Sequence, residues 1–126
     1  MEKNVKYLKS PEGLEDGNLG KMVQYSGSKE GVAFAVSGPF SLGSGMPPRD
    51  RLSTYFMEIN KMVGYHREIP VPKGTRIVGG SYFAVNGKDI VTWFKSTDFG
   101  AIDSELVAKI LEEYGYNLDA DETDYI

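Results

Sequence analysis

The first half of the chain alternates short apolar runs with polar connections. "KMVQYS" (21–26) and "GVAFAVS" (31–37) are rich in β-branched and aromatic residues, and the polar "GSKE" between them predicts a β-hairpin. After a loop rich in Gly, Ser and Pro, "RDRLSTYFMEINKM" (49–62) carries apolar residues at helical spacing, which predicts an amphipathic helix. "GYHREIPV" (64–71) predicts a further strand that the prolines at 70 and 72 end.

The second half repeats this order of elements. "TRIVGGSYFAV" (75–85) and "KDIVTWFKS" (88–96) flank the Asn-Gly turn signal "NGK" and predict a second hairpin. "DSELVAKILEEY" (103–114) has one apolar face, with Asp103 as a plausible N-cap and Gly115 as a stop, so it predicts a helix. The closing "YNLDA" predicts a last strand.

A short phrase occurs once in each half. Residues 32–40 ("VAFAVSGPF") and 91–99 ("VTWFKSTDF") share a Val, a Ser and a final Phe, with an aromatic residue at the third position of both. Together with the repeated order of elements, this predicts a duplicated β-β-α-β unit, roughly residues 21–71 and 75–120. The predicted fold is α+β: a six-stranded, mainly antiparallel sheet packed with two helices, either both on one face or one on each.

The length of 126 residues suits one domain and is too short for two well-packed ones. The predicted domain spans residues 21–120. Residues 1–20 are polar and contain several glycines, so we expect a loose arm with a short strand around residues 5–8. Residues 121–126 predict a solvated acidic tail.

Charge and composition narrow the classes of partner. The net charge of −4 and a pI near 5.0 argue against nucleic acid, which needs a basic face. The chain has no cysteine, so it has no disulfide and no thiol nucleophile. The first residues lack the apolar core of a signal peptide, and no stretch approaches a membrane span. We therefore expect a cytoplasmic protein that does not bind a membrane.

The junctions between strand and helix are the candidate ligand sites. Backbone N–H groups at such a loop and at a helix start can bind an anion. The predicted ligand-binding residues belong to the second junction or face it: Ser96, Thr97, Lys95, Tyr55, Arg51 and Trp93. The alternative is that the two hydroxyls only satisfy turn and cap hydrogen bonds. Asp98 also opposes a phosphate at this loop.

Residue types for catalysis are sparse in this sequence. His66 is the one histidine, and a lone histidine is more often a surface or strand residue than a catalyst. No Ser/His or Asp/His grouping is close in sequence, and the usual set of metal ligands is missing. We therefore predict no catalytic residue, no metal and no cofactor.

Four features of the second half follow one another in a familiar order. They are Gly79-Gly80 on a strand, "IVTWFKS" ending at Ser96, the pair Phe99-Gly100, and Tyr114-x-Tyr116 after a helix. In this order they resemble the janus, or phosphohistidine phosphatase, family of small duplicated β-β-α-β domains. The resemblance implies a scaffold of that kind, with Ser96 on a ligand-binding loop.

The departures from that family concern its chemistry. Where the family has a histidine base, after a tyrosine on the first helix, this chain has Phe56 on the apolar stripe. Ser81 and Tyr82 stand where the family has an arginine, and Asp98 replaces a small residue. The resemblance thus implies a janus-like scaffold without the phosphatase chemistry, with a weak phosphatase as an alternative.

Two other classes of function compete with this interpretation. "SGPFSLGSG" (37–45) and "EYGYNLDADETDY" (113–125) resemble parts of the GyrI-like and SOUL effector-binding domains, although the strand order fits them less well. That resemblance implies a cleft for an apolar or cationic small molecule, with Trp93 in an aromatic wall and Glu58 as a counter-charge. The third class is an inhibitor or interaction module that presents an edge strand or the loop 38–48 to a protein. We expect non-catalytic binding of a small molecule or a protein partner, and a homo-oligomer is compatible with this.

Overall fold

The computed structural model describes residues 5–37 and 56–120. These residues form six strands, two α-helices and one 3-10 turn: β1 (Lys6–Leu8), β2 (Leu19–Gly27), β3 (Gly31–Val36), α1 (Phe56–Met62), the 3-10 turn (His66–Glu68), β4 (Thr75–Asn86), β5 (Asp89–Lys95), α2 (Ser104–Glu112) and β6 (Asn117–Ala120). The predicted start of the first helix, the loop 38–48 and the acidic tail lie outside the described residues.

The strands form one mixed sheet in the order β1-β3-β2-β4-β5-β6. Neighbouring strands are antiparallel except β5 and β6, which are parallel. The predicted α+β class and the six-stranded sheet with two helices are confirmed for the described residues. The two predicted hairpins are β2–β3 and β4–β5, and Gly87 takes a positive φ of 63° in the second turn.

Alternation along the strands divides the core into two layers, one on each face of the sheet. On the first face, which we call the α1 face, Leu19 and Val23 of β2 pack with Ile59 of α1. On the other, the α2 face, Met22 of β2 packs in one cluster with Leu111 of α2. Each helix therefore covers its own face, which settles the alternative that the sequence leaves open.

The ends of α2 follow the predicted signals. Asp103 accepts a hydrogen bond from Leu106 N at 3.3 Å, which confirms it as the N-cap. Gly115 has a φ of 85°, and Tyr116 N donates to Leu111 O at 3.1 Å beyond it. The Gln24 side chain holds the loop before the helix, because its Oε1 accepts from Asp103 N at 2.8 Å.

The predicted strand over residues 64–71 is wrong. Its central part is the 3-10 turn His66–Glu68, in which Glu68 N donates to Tyr65 O at 3.0 Å. Pro70 lacks an N–H for a strand ladder, and Ile69 is buried in the α1-face core instead of alternating along a strand. The sixth strand of the sheet is β1, near the N-terminus.

The described part of the N-terminal arm, residues 5–20, packs on the sheet. β1 pairs with β3, and Leu14 belongs to the α2-face core. Among the described residues, the structure has no helix of the length and apolar character that crossing a membrane requires.

Candidate functional site

A cavity of about 630 Å³ opens on the α1 face, and we call it the α1 cavity. It lies between the end of α1, the 3-10 turn and the loop after β5. Its size falls within the ~300–1,000 Å³ typical of sites for small organic ligands. Its wall combines cations, carboxylates, aromatic rings and hydroxyls: Lys21, Tyr65, His66, Arg67, Glu68, Tyr82, Lys95, Ser96, Thr97 and Asp98.

Lys21 places a buried cation in this wall. It alternates with Leu19 and Val23 on β2, so its side chain lies on the α1 face, and only 6% of it is exposed. Its Nζ donates to Gly64 O at 2.9 Å and lies 5.6 Å from the centre of the Tyr82 ring. These contacts hold the Lys21 ammonium group in the wall of the α1 cavity, where it contributes a positive charge.

His66 is buried beside Lys21 and is 7% exposed. Its Nε2 lies 2.9 Å from Ser81 O, and a carbonyl oxygen only accepts, so Nε2 carries the proton of the neutral ring. Burial lowers the pKa of His66, and Lys21 lowers it further; the Ser81 carbonyl and Asp98 act in the opposite direction. His66 is therefore neutral at pH 7, and its Nδ1 can accept a hydrogen bond.

Gly80 lets His66 and Ser96 approach the sheet together. A Cβ at this position would lie 2.7 Å from His66 Cδ2 and 3.1 Å from Ser96 Cβ. These two atoms are therefore at most 5.8 Å apart, the sum of those distances. On the opposite face, a Cβ at Gly79 would run into the Ala101 carbonyl oxygen. The glycine pair thus allows close packing on both faces of β4.

The loop after β5 is a closed turn held against β4. Ser96 N donates to Gly80 O at 2.9 Å, and Gly100 N donates to Ser96 O at 2.8 Å. The Ser96 side chain is 2% exposed, and its Oγ accepts from Phe99 N at 3.2 Å. The turn hydrogen bond that the sequence analysis gives as the alternative role of Ser96 is therefore present.

A β-bulge at Phe94 directs the chain into this loop. Trp93 pairs with Tyr82 and Lys95 with Ser81, so Phe94 is the extra residue between them, at a φ of 54°. That left-handed conformation is strained for a residue with a bulky side chain. Because the bulge inserts one residue, the alternation of side chains between the two faces of the sheet changes at Phe94. Alternation along β5 alone therefore does not show on which face Lys95 lies.

The expected junction of loop and helix is split in the structure. Residues 96–98 line the α1 cavity, whereas α2 begins only at Ser104, which lines a different cavity on the other face. The loop after β5 and the start of α2 therefore face different cavities. The physical reason is the Ser96–Gly100 turn, which separates the two by several residues.

An ion pair links two sides of the α1 cavity. Arg67 of the 3-10 turn and Asp98 of the loop are 3.2 Å apart, and their side chains are 59% and 44% exposed. The Arg67 guanidinium also lies 4.3 Å from the centre of the Tyr65 ring. Because both charges are largely solvated, the pair adds little to stability and can rearrange around a ligand.

The structure brings together half of the six predicted ligand residues. Lys95, Ser96 and Thr97 line the α1 cavity. Trp93 does not line it; its ring stacks on Tyr82 at 6.0 Å within the core, and its Nε1 has no hydrogen-bond partner. The remaining two predicted residues, Tyr55 and Arg51, lie outside the described residues.

Sequence reasoning missed Lys21 and His66. For Lys21 a signal was present, because a lysine in phase with Leu19 and Val23 on a strand points to the same face as they do. For His66 no local signal exists, since its burial depends on the distant Ser81 and Gly80. Within the part of the chain that the structure describes, no group of three or more His, Asp or Glu side chains could hold a metal ion.

Comparison with known proteins leaves the site to be judged on its geometry. No protein-family model matches this chain, and no curated protein matches it either.

Proposed function

We propose that this protein binds a small anionic molecule, phosphorylated ligands included, in the α1 cavity and does so without turnover. The observation that carries the proposal is the cluster of three basic side chains, Lys21, Arg67 and Lys95, around one cavity of ligand size. Ser96 and Thr97 add hydroxyl groups to the same wall. Cationic groups with neighbouring hydrogen-bond donors are what an anion requires.

The two carboxylates in the wall have partners within the protein. Asp98 pairs with Arg67, and a Glu68 carboxylate oxygen accepts from Tyr65 N at 3.1 Å. Their negative charges are therefore partly compensated, and Lys21 supplies positive charge deeper in the wall. This balance favours an anionic ligand over a cationic one.

The aromatic rings of the wall support the same choice. A hydrophobic cation would need a free ring face. Arg67 lies within cation–π distance of the Tyr65 ring and Lys21 within that of the Tyr82 ring, so a ligand cation at either ring would meet a positive charge of the protein. Glu58, the predicted counter-charge for such a cation, is exposed on α1 and does not line the α1 cavity.

Binding without catalysis is supported by how the polar groups are held. The Ser96 hydroxyl accepts from Phe99 N and has no hydrogen bond to His66. Phe56, which stands where the janus resemblance implies a histidine, packs edge-to-face on Tyr82 and Phe94 at 6.3 and 5.7 Å. We infer a janus-like scaffold used for recognition.

The duplication of a β-β-α-β unit is part of this proposal. It is supported by the order of strands, in which β2 and β4 are central, β3 and β5 flank them, and a helix follows each hairpin on opposite faces. In the first half no strand follows α1 among the described residues, and β1 occupies the corresponding edge.

A thermal-shift panel of phosphorylated metabolites and nucleotides tests the proposal. A ligand that binds the folded state raises the Tm by mass action. Lys21→Met removes the charge at similar length and should weaken binding about tenfold or more, because a hydrogen bond to a charged group contributes roughly 1.5–3 kcal/mol. Lys88→Met is the matched control, since Lys88 is exposed in the β4–β5 turn.

Two results would contradict the proposal. One is the absence of a shift with every anion in the panel, which would favour a protein partner instead. The other is a shift that Lys21→Met and Ser96→Ala leave unchanged while Lys88→Met removes it, since the ligand would then bind elsewhere.

A further inference from the structure

A second cavity of about 280 Å³ lies on the α2 face, and we call it the α2 cavity. One wall comes from the sheet, where Ser81 pairs with Lys95 and Thr92 pairs with Ala120 on neighbouring strands. Paired residues of adjacent strands share a face. The other wall is the loop that enters α2, with Ala101, Ile102 and Ser104.

Ser81 is the unexplained residue of this wall. It alternates with Phe83 of the α2-face core, so its side chain lies on the side of the α2 cavity. It is 4% exposed, and its Oγ has no hydrogen-bond partner. A buried hydroxyl without a partner is costly, so Ser81 Oγ is available to donate to a group bound in the cavity.

The start of α2 presents donors to the same cavity. The first four N–H groups of a helix have no acceptor within it. In α2, Leu106 N donates to the Asp103 side chain and Val107 N to Asp103 O. No described residue accepts from Ser104 N or Glu105 N. These two amides lie at the positive end of the helix dipole, and Ser104 lines the cavity.

The third donor is a cation on the sheet. Lys95 lines the α2 cavity as the cross-strand partner of Ser81. The Asp103 carboxylate at the start of α2 accepts from Leu106 N and is not part of the cavity wall. Helix amides, a hydroxyl and an ammonium group thus converge, and the rest of the wall includes apolar groups of Ala101, Ile102 and Ala120.

From this convergence we infer that the α2 cavity is a binding site for a small aliphatic carboxylate. The carboxylate accepts from the Ser104 and Glu105 amides and from Ser81 Oγ, with Lys95 as its counter-charge. A short hydrocarbon tail packs on the alanines and Ile102. The cavity lies just below the ~300 Å³ lower end of sites for drug-sized ligands, so the ligand is a molecule of few carbons. Lys95 lines both cavities and is the one group that the two sites share; the Ser81 hydroxyl and the start of α2 belong to the α2 cavity alone, so this inference does not rest on the function proposed for the α1 cavity.

Titration of the protein with formate, acetate and propionate at constant ionic strength tests the inference. The single tryptophan, Trp93, is among the residues around the α2 cavity, but its ring stacks on Tyr82 in the α1-face core, so its fluorescence is a secondary readout and the amide resonances at the start of α2 are the primary one. We expect saturable binding that strengthens from formate to propionate, because each added carbon buries apolar surface. In ¹⁵N-labelled protein, the Ser104 and Glu105 amide resonances should shift on addition of propionate, and that of Lys88 should not.

Variants assign the response to the cavity. Ser81→Ala deletes the orphan hydroxyl and should weaken propionate binding about tenfold, as expected for a hydrogen bond to a charged group. Ala120→Val narrows the cavity and should abolish the preference for propionate over formate. Ser96→Ala changes the α1 cavity only and should bind propionate like the wild type.

The inference is overturned by any of three results. The first is that propionate gives no saturable change. The second is that Ser81→Ala binds propionate as well as the wild type does. The third is that Ser96→Ala removes the response to propionate while Ser81→Ala keeps it. The last result would place the carboxylate in the α1 cavity. Since Ser81→Ala removes a hydroxyl that bonds to nothing in the protein, the variant should fold.

Discussion

His66 contributes only one ring nitrogen to the fold, and this determines its chemistry in the α1 cavity. Nε2–H donates to the Ser81 carbonyl, which leaves Nδ1 as an acceptor in a wall that also contains the Lys21 ammonium group. Protonation would place a second positive charge near Lys21, and Asp98, which acts in the opposite direction, is itself exposed and paired with Arg67. The residue therefore serves the site best as a neutral imidazole.

This environment predicts a pH dependence of stability. The pKa of His66 is lowered in the folded state, so below about pH 6.5, the usual value for histidine, the unfolded chain binds a proton that the folded chain does not. The free energy of unfolding should therefore fall as the pH decreases from 7 to 5. The slope that His66 adds has an upper limit of about 1.4 kcal/mol per pH unit.

His66→Gln provides the matched comparison, because the glutamine amide can still donate to Ser81 O but does not titrate. Urea unfolding at several pH values should show a flatter profile for the variant than for the wild type. His66 is the only histidine, so no other imidazole contributes to the difference. Parallel profiles would show that His66 titrates alike in both states.

At the scale of elements, α2 is stabilised mainly by its apolar face and by its first turn. Val107 and Leu111 are fully buried against the sheet. The Asp103 carboxylate satisfies one of the amides at the helix start, and Gln24 holds the loop before it. The position of this helix start also sets the geometry of the α2 cavity.

Asp103→Ala should lower the free energy of unfolding by about 0.5–2 kcal/mol, the usual range for loss of an N-cap. Asp103→Asn keeps a side-chain acceptor at the same place and should stay close to the wild type. Chemical denaturation of the three proteins measures both changes. If the alanine and asparagine variants lose equal stability, the charge of Asp103 rather than its cap geometry is what stabilises the helix.

Elements whose signals are local were predictable, and those that depend on distant contacts were not. The two hairpins were predicted from their apolar runs and, for the second, from the Asn-Gly turn. Helix α2 was predicted from the spacing of its apolar residues and from its N-cap, Asp103. The stretch 64–71 has a strand-like composition, but contacts of His66 with Ser81 and burial of Ile69 favour a 3-10 turn. For the α1 cavity, Lys95, Ser96 and Thr97 were predicted because they follow a strand at the junction with a loop. Lys21 and His66 line the cavity because of tertiary contacts, which the local sequence does not show.

At the scale of the whole molecule, the N-terminal segment (residues 5–20) adds an edge strand to the sheet and Leu14 to the α2-face core. β1 covers the outer edge of β3, which protects a strand edge that would otherwise be open. Tyr116 Oη, just before β6, donates to Leu14 O at 3.3 Å, so the segment also contacts the other end of the described chain. We therefore expect residues 5–20 to unfold together with the rest of the described protein.

Leu14→Ala tests this integration. Leu14 is 8% exposed and packs in the α2-face core, so its truncation should cost about 2–5 kcal/mol of unfolding free energy through lost burial and a cavity. Met57→Ala on α1 is the control, because Met57 is 58% exposed and should change stability by no more than about 0.5 kcal/mol. Urea denaturation followed by Trp93 fluorescence measures both. A loss for Leu14→Ala as small as that for Met57→Ala would mean that the segment folds independently of the sheet, since a residue of a shared core cannot be truncated without weakening the whole.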